Sequence, residues 1–74
     1  MSIPLHRLKP GQTGRVTELR SPDPVRLDRL GAFGLSLGSA VTVQQTTPVL
    51  VFRIGETELA VDAEIAGEIW VQPD

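Results

Sequence analysis

RLGAFGLSLGSAVTVQQTTPVLVFRIGETELAVDAEIAGEIWV, residues Arg29 to Val71, is the stretch whose reading decides the fold. Its first residues end a short amphipathic helix at Gly34, where a glycine can take the left-handed conformation that closes helices. Three strands follow at tight spacing. Ala40 to Thr46 alternates Val41 and Val43 with Thr42 and Gln44, which predicts one apolar and one polar face. Val49 to Ile54 is apolar on both faces except for Arg53, and Gly55-Glu56 then makes a hairpin turn into Thr57 to Val61. Asp62 is placed to cap a single helical turn through Ala66, Gly67 ends it, and Glu68 to Gln72 is the last strand.

Upstream of this stretch, Thr13 to Arg20 reads as a further strand. Val16 and Leu19 break its alternation, which predicts a bulge. Ser21-Pro22-Asp23-Pro24 is a turn and helix start, with Asp23 as N-cap and Pro24 at the first helical position. The helix runs to about Phe33 with Leu27, Leu30 and Phe33 on one face, and Gly31 inside it reads as a close-packing point. Leu5 and Leu8 precede Pro10-Gly11 as a short packed lead-in ending in a turn. The fold expected is mainly β: a small five-stranded barrel with one short helix after the first strand and a one-turn helix before the last.

At 74 residues the chain is expected to be one domain over positions 1–74. Folding should remove about 7,000 Å² from water, so the core is small. There is no cysteine, which excludes disulfides and thiolate chemistry. No apolar run approaches the roughly 18 residues of a membrane span and no signal-peptide core is present, so neither insertion nor export is expected and the cytoplasm is the default location.

The net charge is -2, unevenly spread. Arg7, Lys9, Arg15, Arg20, Arg26 and Arg29 dominate the first half, whereas Glu56, Glu58, Asp62, Glu64, Glu68 and Asp74 outnumber Arg53 in the second. With a pI near 5.2 and only three aromatic residues, direct nucleic-acid binding is not expected. The favoured reading is of two solvated faces that attract one another within one small fold.

Catalytic chemistry finds little support. The single histidine, His6, has no acidic neighbour in sequence, and Gly31, Gly34 and Gly38 end a helix instead of opening one over a phosphate. Asp62, Glu64 and Glu68 with His6 are the only residues worth weighing as metal ligands. A helix-start role accounts better for the first two, so no metal site, cofactor or catalytic residue is assigned. The sharper candidate is a binding patch. If Leu50, Phe52 and Ile54 fill the barrel, then Val49 and Val51 point outward, as does Trp70, with Arg53 at the rim; the competing expectation is that the helix or the lead-in covers them. A groove for proline-rich peptides ranks lower, because Phe33, Phe52 and Trp70 are the only aromatic residues.

Three segments, LHRLKPGQTGRV, RLGAFGLSLGSAVTV and ETELAVDAEIAGEIWV, resemble the FeoA-type domain across nearly the whole chain. The matching positions are Leu5, Leu8 and Gly11; Gly34, Leu35 and Gly38; and Ala60, Asp62, Ile65, Ala66, Ile69 and Val71. One departure is Leu37, where the family usually has proline before the second glycine, and this residue joins the candidate partner-binding set. The resemblance implies an SH3-like barrel without catalysis of its own. It further implies an accessory role in ferrous-iron transport, by docking on the cytosolic GTP-hydrolysing part of the membrane transporter FeoB. The alternative it implies is a regulatory module like the C-terminal domain of metal-dependent repressors. Formation of homo-oligomers stays open.

Overall fold

The structure is a computed structural model describing all residues, Met1–Asp74. Its elements run β1 (Ile3–Pro4), a 3-10 turn (Leu5–Arg7), β2 (Thr13–Leu19), α1 (Pro24–Ala32), β3 (Ala40–Gln45), β4 (Leu50–Ile54), β5 (Thr57–Val61), α2 (Ala63–Glu68) and β6 (Ile69–Pro73). The strands form one antiparallel sheet in the order β1-β6-β2-β3-β4-β5. This is the mainly β class the sequence predicts, and it accords with the SH3-like fold the resemblance implies, with two differences. There are six strands, because part of the lead-in pairs as β1 with β6, and the ladder does not close into a barrel, since β1 and β5 are the two unpaired ends.

Sequence dictates most local features. Asp23 caps α1 by accepting from the amides of Val25 (3.0 Å) and Arg26 (3.4 Å), as expected of a carboxylate before Pro24. Asp62 caps α2 through the Ile65 amide at 2.8 Å. Gly34 closes α1 with φ +97°. The broken alternation in β2 is a bulge: the register with β6 shifts between Val16 and Glu18, so Val16 and Leu19 both reach the core face. A second bulge, between Val43 and Gln45 of β3, has no signal in the alternating sequence.

Three local expectations need correction. Gly31 is not a close-packing point, because a Cβ there would meet nothing within 4 Å; the residue lies on the solvent side of α1. Gly67 does not end α2, which continues through Glu68 until the chain turns extended at Ile69. Phe33 is 51 % exposed, because α1 stops at Ala32 and only Leu30 of that face is buried.

The core is one cluster in which Leu5 and Leu8 from the N-terminal segment meet Leu35, Val41, Val43, Phe52, Ile69 and Val71, all essentially without solvent contact. The accessible surface of 4465 Å² agrees with the roughly 4,450 Å² expected of a compact chain of this mass. The N-terminal segment is therefore part of the core, as the Leu5 and Leu8 spacing predicts for a packed lead-in. No helix is long and apolar enough to cross a membrane.

Candidate interaction surface

Strand alternation sorts the sheet into two faces. Leu50 and Phe52 point into the core as expected, which sends Val51 and Arg53 of β4 to the outer face. There Val51 lies between Gln45 of β3 and Ala60 of β5, and Arg53 between Thr42 and Glu58. Val49, in the turn before β4, is 44 % exposed. These three predicted residues share one region. Arg53 donates from Nε to the Gly55 carbonyl at 3.0 Å, which holds it over the β4–β5 turn.

Trp70 does not join them. It is on the outer face of β6, and β2 and β3 intervene between β6 and β4, so a patch on neighbouring strands is ruled out by strand order. Across the sheet its neighbours are Pro4 of β1 and Glu18 of β2. The Arg20 guanidinium stacks over the indole, 3.8 Å from the ring centroid, and is itself paired with Glu18. The indole is half-buried, and its Nε1–H is buried without a hydrogen-bond partner. Partial cover of Trp70 thus comes from the strand partners and Arg20. Leu37 is in a third place, the loop between α1 and β3, where the Gly38 amide donates to the Val16 carbonyl at 2.7 Å; the residue is 66 % exposed.

A feature the sequence reading missed lies between the two helices. A groove of about 440 Å³ is lined by Asp23, Val25, Arg26, Arg29, Leu30 and Ile65. Arg26 closes one wall: its Nη1 donates to both carboxylate oxygens of Glu68, at 2.9 and 3.1 Å, and lies 3.7 Å from Glu64. The hydrogen bond to Glu68 raises the Arg26 pKa above its ordinary value, against a smaller opposing effect of desolvation. This pair is where the basic first half and the acidic second half of the chain meet. The two residues are 42 positions apart, so no local motif could announce them.

Of the residues weighed as metal ligands, Asp62 and Glu68 are engaged elsewhere. Asp62 caps α2, Glu68 holds Arg26, and no group of three or more histidine, cysteine, aspartate or glutamate side chains converges. Phe52 lies in the core with no exposure, which removes it from any aromatic peptide groove.

An iron uptake regulatory protein (FeoA) of solved structure superposes with a TM-score of 0.86 at 24 % identity, covering 100 % of this chain and 99 % of that one. A FeoA protein from Chlorobium tepidum gives 0.88 at 24 % identity, covering 96 % and 70 %. A manganese-dependent transcriptional repressor gives 0.87 at 24 % identity, covering 99 % of this chain but 42 % of the repressor. At these identities the likeness is one of fold. No curated protein matches the chain. The family model described as the FeoA domain matches residues 3–73, and the chain therefore belongs to the FeoA domain family.

Proposed function

We propose that this chain is a non-catalytic accessory protein of ferrous-iron transport that works in the cytoplasm, as a single module, by binding the cytosolic part of the membrane transporter FeoB. The observation that carries this reading is the family match over residues 3–73, nearly the full chain. The exposed region of Val49, Val51 and Arg53 is the docking surface we assign first, because it alone gathers several of the candidate residues. Leu37 and Trp70 would contribute only to a partner large enough to reach other faces.

Isothermal titration of the purified chain with the transporter's cytosolic part tests it. Saturable binding, weakened at least tenfold when Val49→Asp and Arg53→Glu are combined, is the expected result. No binding at about 100 μM, a free energy weaker than roughly -5.5 kcal/mol, would refute the transporter as partner.

A second reading is favoured by the likeness to repressor structures, in which this fold makes up under half of the chain. The domain would then modulate a metal-responsive DNA-binding protein without touching DNA itself. Recovery of such a regulator, and not the transporter, by affinity capture would favour it.

A further inference from the structure

The two free edges of the sheet are unlike. The β1 edge is two residues long, and Pro4 has no amide donor to offer, so it cannot extend the ladder. The β5 edge is five residues long and open.

Register identifies which β5 groups are free. The Val43 amide bonds to Gln12 on the β2 side, so Val41 and Val43 face β2 while Thr42 exchanges bonds with Arg53 of β4. Phe52 and Ile54 must then pair with Leu59 and Thr57 of β5, the latter pair closing the Gly55-Glu56 turn. Glu58 and Ala60 are consequently left with both N–H and C=O aimed away from β4. No other backbone or side-chain group bonds to them, and both residues are exposed. Four main-chain groups thus stand ready along one edge.

Charge selects the occupant. Glu56, Glu58 and Asp62, in β5 and at its two ends, form no ion pair; the acidic residues that do are Glu18, Glu64 and Glu68. The one nearby cation, Arg53, is held at the Gly55 carbonyl. A second copy pairing antiparallel about Leu59 would set Glu58 opposite Ala60 but Glu56 opposite Asp62, so like charges oppose self-association there.

We propose that the β5 edge binds an extended basic segment of a partner protein as an added antiparallel strand. Residues of that segment paired with Glu58 and Ala60 would make four N–H···O=C bonds, with lysine or arginine across from Glu58 on the outer face. An apolar residue between them would pack beside half-buried Leu59. This inference rests on the reading of the chain as a protein-binding module, and it adds the chemistry of the segment recognised.

The test uses the whole chain, nitrogen-15 labelled, with a short synthetic peptide of alternating lysine and valine. Amide exchange at Glu58 and Ala60 should slow by about tenfold when the free peptide is near ten times its Kd, with other β5 amides unchanged. A glutamate–valine peptide should give no protection. Ala60→Pro removes an outward donor and no β4 bond, and together with Glu58→Lys it should abolish the effect. If Ala60→Pro fails to fold, the lysine peptide methylated at alternate amides replaces it, and undiminished binding overturns the proposal. Protection elsewhere, equal binding of the glutamate peptide, or protection that grows with protein concentration alone also overturns it.

The two readings separate cleanly. Equal binding of the transporter's cytosolic part by wild type and Ala60→Pro would remove the edge and keep the transporter. Edge protection by the lysine peptide without transporter binding would do the reverse.

Discussion

Gly14 and Gly31 should respond in opposite directions to the same substitution. Neither has a positive φ, so alanine is conformationally allowed at both, and only the space around the new methyl differs. At Gly14 the Cβ would lie 3.0 Å from the Gln72 carbonyl oxygen and 3.3 Å from Val71 Cβ and Cγ2. The first of these contacts is backbone of β6, paired to β2 in this register, so it cannot swing aside. Overpacking of this kind costs about 1–3 kcal/mol, while the less flexible unfolded chain returns about 0.4–1 kcal/mol. At mid-range values Gly14→Ala should therefore lose about 1.3 kcal/mol. At Gly31 nothing opposes the methyl, and the helix-propensity gain of up to about 1 kcal/mol should appear in full or in part. For a domain of this size 1 kcal/mol moves Tm by about 4–8 °C. Thermal and urea unfolding followed by circular dichroism should place the two variants on opposite sides of wild type. A Gly14→Ala variant as stable as wild type would show that β2 and β6 do not approach as described. A destabilised Gly31→Ala would show that α1 packs on that side after all.

Other outcomes follow from the same contacts. Leu5→Ala, at a residue with no exposure in the N-terminal turn, should cost about 3–5 kcal/mol and leave much of the chain unfolded at 37 °C; a loss below about 1 kcal/mol in urea melts would detach the lead-in from the core. Asp62→Ala removes the cap accepting from Ile65 and should cost about 0.5–2 kcal/mol, whereas Asp62→Ser should recover most of it. Arg20→Ala uncovers the single tryptophan, so Trp70 emission should shift to the red in the folded protein, with about 0.5–1 kcal/mol lost; unchanged emission would mean the guanidinium does not rest on the indole.

How much was legible in the sequence depends on how local the cause was. Asp23-Pro24, Gly34, Asp62 and the Gly55-Glu56 turn act through atoms within a few residues, so their roles are readable from spacing alone, and the structure places caps and turns there. The bulge in β2 was readable because period-2 alternation makes any slip visible at Val16 and Leu19. Gly31 misled because a helical glycine has two explanations, close packing or mere tolerance, and only the space around it tells them apart.

The candidate surface was half legible. Facing of Val51, Arg53 and Trp70 follows from alternation, but whether outward residues meet depends on strand order, and strand order is set by long-range pairing. The sequence by itself determined the kinds of element, the caps that start the helices and which residues each strand turns inward, because steric preference, capping and periodicity are short-range. Only the tertiary structure decided that Ile3–Pro4 joins as a sixth strand, that Arg26 reaches Glu68, that Trp70 and Val51 lie apart, and that Glu58 and Ala60 present a free edge. Those are matters of which distant backbones and side chains share a core, and burial fixes them only when the whole chain has folded.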